Sequence, residues 1–229
     1  AEVRRLSDAL APPGVRRPRA VPPLLRLLRE HDVAAVQSEL EALLARDGLA
    51  HFAAVEVPAL NTLIGDAWRA GELEIHEEHL YSDSLYQVLR SATSALQPAT
   101  RREAPQVVLT TFPDEPHGLG LLMAEALFAL QGCPTVSLGV RMPVAQIAAA
   151  ARAYRADLVG LTFTSALNPA HALRGLQELR GMLPVTIRIW VGGDCPVLYR
   201  KSIPGVRAVR DVAAIPSLLA EDFALPPRG

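Results

Sequence analysis

The sequence has almost no net charge: 23 basic side chains stand against 24 acidic ones over 229 residues. That balance excludes the one-sign field on which a nucleic-acid-binding surface spanning a whole domain depends. Lysine is nearly missing, since Lys201 is the only one. Two cysteines, Cys133 and Cys195, are too few for a disulfide framework and lack the paired spacing of a zinc site, so both are expected to be buried thiols. No apolar run approaches the roughly 18 to 20 residues that a membrane span needs, and the first residues lack the apolar stretch of a secretory signal. A soluble, cytoplasmic protein is expected. What the chain has is apolar content, 50% of its residues, enough for one large or two small domains with cores of their own.

Residues 1–23 carry Pro12, Pro13, Pro18, Pro22 and Pro23 with five arginines against Glu2 and Asp8, and are expected to form a mobile basic arm without regular structure. Through residues 24–97 apolar positions return at helical spacing, as in Leu24, Leu25, Leu27 and Leu28, then Val33, Val36, Leu40, Leu43 and Leu44. This predicts four short helices packed as a bundle. Stops are expected at Asp47-Gly48 and Ala70-Gly71, where glycine can close a helix. Pro98, Arg101, Arg102 and Pro105 interrupt all periodicity in residues 98–105, the expected linker.

In residues 106–225 short β-rich runs alternate with helical ones. Strands are expected at 106–111, 135–138, 158–164, 185–191 and 207–210. Helices are expected at 118–130, from Pro143, at 169–182, near Pro196 and at 213–223. Five strands alternating with helices predict an α/β fold, a doubly wound parallel five-stranded sheet of the flavodoxin/Rossmann-like kind. Such sheets bind ligands at the carboxyl ends of their strands.

The first of these strands ends in Thr110-Thr111-Phe112 and runs through Pro113-Asp114-Glu115-Pro116-His117-Gly118-Leu119-Gly120 into a helix. One histidine therefore lies at the carboxyl edge of the sheet. Pro116 biases Glu115 towards an extended conformation. A carboxylate two residues from an imidazole can accept its ring proton, fixing the tautomer and making the other nitrogen a better metal ligand. Gly118 and Gly120 remove side chains where a bulky, flat group could lie against the loop. Taken alone, His117 reads as an ordinary loop histidine near a helix start, and what changes the reading is the spacing downstream. Glu115-x-His117-x-x-Gly120 is followed after 41 residues by Thr162-Phe163-Thr164 and after 27 more by Gly192-Gly193.

This pattern resembles the base-off cobalamin-binding domain, whose D-x-H-x-x-G, S-x-L and G-G elements fall at similar intervals, and the resemblance covers residues 106–225. It implies His117 as the lower axial ligand of cobalt, displacing the dimethylbenzimidazole base, with Glu115 as the acceptor behind it and Gly120 closing the loop motif. Thr162 would meet the buried base, and Thr164, Gly192 and Gly193 would border the nucleotide tail. Two departures are visible: Glu115 stands where aspartate is commoner, and Thr162 and Thr164 replace Ser and Leu. A literal S-x-L follows at Ser165-Ala166-Leu167.

In the bundle, Trp68 is followed after nine residues by Glu78-His79. Read without context, Trp68 is core and Glu72, Glu74, Glu77 and Glu78 are a solvated face. The W-x9-E-H spacing nevertheless resembles the CarH-type cobalamin photoreceptors, which project these residues from a four-helix bundle onto the upper face of the corrin, around the adenosyl group. Here Gly71 is expected to break the helix after Trp68 and Glu72 to start the next. Arg69 stands where that family can supply a second histidine to cobalt after photolysis, which leaves His76, His79 or water for that place. His76-Glu77-Glu78-His79 contains neither H-E-x-x-H nor E-x-x-H, so no metal site is expected there. His31, His51 and His171 are assigned to structure, the first two without partners.

The expected function is a cobalamin-dependent, light-responsive sensor without turnover, holding adenosylcobalamin base-off. Its output is expected through a change of homo-oligomer, or through an effector or DNA-binding regulator acting in trans. No winged helix of the MerR type precedes the bundle in these residues. Specific DNA binding by this chain alone is not expected, because five arginines less Glu2 and Asp8 give the arm only +3. The alternatives are the corrinoid carrier of a methyltransferase system, which joins a helical bundle to the same domain, and a related sensor carrying haem or an additional bilin.

Overall fold

The computed structural model describes residues 21–96 and 103–227, and the chain divides into two compact units, residues 1–85 and 86–229. The expected arm, as far as residue 20, and residues 98–102 of the expected linker lie outside the described residues.

The first unit holds α1 (Val21–Arg29), α2 (Val33–His51), a π-helical turn (Phe52–Glu56), α3 (Val57–Arg69) and the start of α4 (Ile75–Ala95). α1 begins inside the stretch expected to lack structure. Its Pro22 and Pro23 fall in the first turn, where backbone N–H groups have no intrahelical acceptor to lose. Asp32 caps α2, its Oδ1 accepting from the Ala35 amide at 3.0 Å. The stop expected at Gly48 is a kink instead: φ +76 and ψ 158 leave the helical region there, yet the helix resumes to His51. Phe52 and Ala53 just beyond it are fully buried, so the chain has to return to the core. α3 ends at Arg69, ahead of Gly71 as expected, and the next helix starts at Ile75, three residues later than Glu72. Leu24, Leu28, Val36, Leu40, Leu60, Ile64 and Leu85 fill the core, each burial contributing about 1.5 to 3 kcal/mol before the entropy of ordering the chain is subtracted. Buried Tyr81 donates to Asn61 Oδ1 at 2.7 Å, and burial pushes its phenol pKa well above the ordinary value.

The second unit begins within α4, not in the linker. It contains β1 (Val107–Thr110), α5 (Leu119–Leu130), β2 (Thr135–Ser137), α6 (Val144–Ala153), β3 (Leu158–Thr162), α7 (Pro169–Met182), β4 (Arg188–Gly192), α8 (Val197–Arg200), β5 (Val206–Val209), a 3-10 turn (Val212–Ala214) and α9 (Ile215–Phe223). The strands form one parallel sheet in the order β2-β1-β3-β4-β5, flanked by helices. The three central strands, β1, β3 and β4, are mostly apolar, as a sheet covered on both faces requires, with Val107, Val108, Leu109, Leu158, Val159, Leu161, Ile189, Trp190 and Val191 all buried. β4 starts later than expected because residues 184–187 turn, with the Ile187 amide on Pro184 O at 3.0 Å. Arg207 Nη1 and Trp190 Nε1 both reach the Asp222 carboxylate, at 2.7 and 2.9 Å, and so anchor α9 to the sheet. Cys133 and Cys195 are both buried, as expected. Among the described residues no helix is long and apolar enough to cross a membrane. Because the chain passes from β1 to β2 on one side and to β3 on the other, strand order reverses between β1 and β3. Sheets of this kind open a ligand crevice at the carboxyl ends of that pair.

Candidate functional site

The loop leaving β1 is fastened before it reaches its histidine. Thr111 Oγ1 donates to the carbonyl of Glu115 at 2.6 Å and accepts from the Arg141 amide at 2.9 Å, and the Glu115 amide closes a turn on Phe112 O at 3.0 Å. The Glu115 side chain is thereby enclosed, with no exposed surface. Its Oε1 accepts from the His117 amide at 3.0 Å and lies 2.6 Å from His117 Nδ1. Its Oε2 accepts from the Thr164 amide at 2.6 Å and from the Thr164 hydroxyl at 2.9 Å. Burial by itself pushes this carboxyl's pKa up, but the four hydrogen bonds outweigh it and hold Glu115 below the usual carboxylate value.

An ionised carboxylate at Nδ1 puts the ring proton there and leaves Nε2 with its lone pair. The His117 side chain is 55% exposed, and Nε2 has no hydrogen-bond partner among the described residues. The arrangement offers one oriented imidazole nitrogen at the reversal point of the sheet. Nearby, Thr162 at the end of β3 has its hydroxyl oxygen buried and unpartnered.

The glycines act differently from expectation. A Cβ on Gly118 would meet Val140 Cγ1 at 3.0 Å and Tyr86 Oη at 3.2 Å, and one on Gly120 would meet Thr162 Cγ2 at 3.2 Å. The room they leave is taken by the protein's own side chains. Gly193 has φ +105, and a Cβ there would fall 2.1 Å from Phe163 O, so its space is filled by backbone; a Cβ on Gly192 would meet Val209 O at 3.3 Å. Two contributors, Tyr86 and Asp194, escape a reading by sequence, and Thr164 has a contact the sequence does not show. Thr164 holds Glu115, where it was expected beside the nucleotide tail. The Gly118 amide donates to Tyr86 Oη at 2.9 Å, and Asp194 Oδ1 accepts the Ser165 amide at 2.7 Å. A cavity of about 630 Å³ opens beside β5, bordered by Tyr199, Lys201, Arg207 and Arg210, but none of the expected site residues lines it.

Residues 105–214 match the family model of the B12 binding domain. The sheet unit carries a B12-binding domain. The chain is also 32% identical over 171 residues, 74% of its length, to the HTH-type transcriptional repressor CarH of Myxococcus xanthus, and it spans 56% of that protein's length. Its fold is like that of the Methanosarcina barkeri monomethylamine corrinoid protein, with a TM-score of 0.67 at 15% identity over 86% of this chain and 95% of that one. The residues of the B12-binding domain fit a corrinoid: a carboxylate-backed imidazole suits cobalt, and the Thr162 hydroxyl, with no protein partner, is available to a bound molecule.

In the first unit, Trp68 is 45% exposed near the end of α3, so it is not core. Glu78 Oε1 accepts from Ser82 Oγ at 2.7 Å, and His79 Nε2 lies 3.7 Å from Glu78 Oε2. The histidines expected to lack partners have them. His31 Nε2 lies 3.2 Å from His76 Nε2 and 3.3 Å from Glu77 Oε1, and His51 Nε2 lies 3.7 Å from Glu56. His171 pairs with Asp114 at 2.9 Å.

Proposed function

We propose that the chain is a light-responsive sensor that binds adenosylcobalamin base-off, with His117 Nε2 on cobalt. The observation that carries it is the Glu115–His117 pair, a buried ionised carboxylate fixing the tautomer of an exposed imidazole inside a B12-binding domain. Support for a sensor over a methyl carrier comes from the reach of the likeness to the repressor. It spans 171 residues, whereas residues 105–214 are 110 and only 15 follow them, so it extends into the helical part of the chain.

When bound, the corrinoid supplies a cobalt–carbon bond that visible light cleaves. The rest is work for side chains. Glu115 keeps the proton on Nδ1 of His117, Thr164 keeps Glu115 ionised and in place, and the Thr162 hydroxyl finds its missing partner. Gly120 lets the loop pack on Thr162, while Gly192 and Gly193 let β4 and its following turn run close to β5 and Phe163, beside the nucleotide tail. In this reading Trp68 shields the upper face from water, and Glu78 with His79 offers hydrogen bonds to the adenosyl ribose. Output passes through a change of homo-oligomer, or through an effector or DNA-binding regulator in trans.

The test is a pair of absorption spectra and size-exclusion profiles of adenosylcobalamin-loaded protein, kept dark and illuminated. Light should change both. Unchanged spectra and sizes would overturn the sensor reading. Preference for methylcobalamin, with demethylation on addition of a methyl acceptor and remethylation by a donor, would replace it with the carrier.

A further inference from the structure

Outside the B12-binding domain, two histidines and a carboxylate converge. His31 sits in the turn between α1 and α2, and His76 and Glu77 sit in the first turn of α4. The three ligand atoms lie within 4.8 Å of one another. The two ring nitrogens are 3.2 Å apart, and His31 Nε2 is 3.3 Å from Glu77 Oε1. Ligands at 2.0 to 2.1 Å from a tetrahedral zinc ion are separated by about 3.3 Å, so these two spacings already match edges of such a site.

The scaffold holds the cluster without help from an ion. Arg29 Nε donates to Glu72 O at 2.9 Å, and its Nη2 is 3.2 Å from Glu72 Oε2, tying the end of α1 to the segment leading into α4. Glu77 is buried, and its Oε2 accepts the Glu74 amide at 2.7 Å, which commits one oxygen and leaves Oε1 to a ligand. His31 itself has φ +56. Its amide bonds Leu28 O and the Asp32 amide bonds Leu27 O, the helix-closing turn in which glycine is the usual residue. A histidine kept there, against its backbone preference, points to a use for its side chain. The second such cluster, Asp47, His51 and Glu56, is served already by a cation, because Arg46 Nη2 lies 2.5 Å from Asp47 Oδ2 and 3.9 Å from Glu56 Oε1.

We propose that His31, His76 and Glu77 form a binding site for a borderline divalent transition-metal cation such as zinc, with three protein ligands and one open position. The ion clips the α1–α2 turn to the start of α4. The pattern is invisible to a search for H-E-x-x-H because one ligand comes from 45 residues away.

The test is calorimetric titration of zinc chloride into the whole, cobalamin-free chain, with thermal melting alongside. One equivalent should bind and raise the melting midpoint. His76→Ala and Glu77→Gln should each weaken binding at least tenfold, and His51→Ala should leave it unchanged. His31→Gly is the decisive variant, because glycine suits φ +56 and the turn folds at least as readily; it should lose binding and the midpoint shift. No zinc binding by the wild type, or wild-type affinity in His31→Gly, would overturn the site.

Discussion

Thr164 donates twice to Glu115, from its amide at 2.6 Å and its hydroxyl at 2.9 Å, so a residue 49 positions along the chain secures the carboxylate that aims His117. Thr164→Val keeps the shape and the amide bond and removes the hydroxyl. A hydrogen bond to a charged group is worth about 1.5 to 3 kcal/mol, and the expected result is roughly tenfold weaker cobalamin binding in an absorbance titration. Thr164→Ser should restore it. Wild-type affinity in the valine variant would remove the hydroxyl from the site.

His117→Ala should abolish or greatly weaken base-off cobalamin binding, and Glu115→Gln should weaken it by about ten- to a hundredfold. Both are read from the visible spectrum on titration. An unchanged spectrum and affinity in His117→Ala would refute the ligand assignment.

The pH dependence follows from the direction of the Glu115 shift. Its folded pKa lies below its unfolded value. The stabilisation is therefore fully present above the unfolded value, about 4.3, and is lost as pH falls through the folded one. Wild type should be more stable than Glu115→Gln at neutral pH, with the gap closing below about pH 4 in urea denaturation. A gap of constant size down to acid pH would show that ionisation of Glu115 is not its source.

Trp68→Ala should cost about 1 to 2 kcal/mol, less than the loss of a core tryptophan, since the indole is 45% exposed. The same change should loosen discrimination between adenosylcobalamin and methylcobalamin while leaving His117 ligation intact. An unaltered affinity ratio would mean that Trp68 does not meet the upper ligand.

Much of the sheet is legible in the sequence because its central strands are mostly apolar and three of the four helices between strands, α6, α7 and α8, start at Pro or Asn. The Glu115–His117 pair is legible for a similar reason, since both residues lie in one short loop. Thr164 is not, because its role depends on β1 and β3 being neighbours. Gly193 misleads for the opposite cause. Its missing Cβ suggests room for a ligand, but whether ligand or backbone fills that room is decided by Phe163, far off in the chain. His31 and His76 look solitary for want of the turn that faces one towards the other, and Pro22 and Pro23 look disruptive until they are placed in a first turn.

Two consecutive amides of the loop are spoken for: that of His117 by Glu115, and that of Gly118 by the phenol of Tyr86. The imidazole is therefore aimed before any cofactor arrives, and the conformational entropy of ordering this loop is spent during folding. Loading should then proceed at a rate governed by encounter and by departure of the lower base, with no slow search by the loop. Loosening either amide should slow capture of the cofactor more than it speeds release.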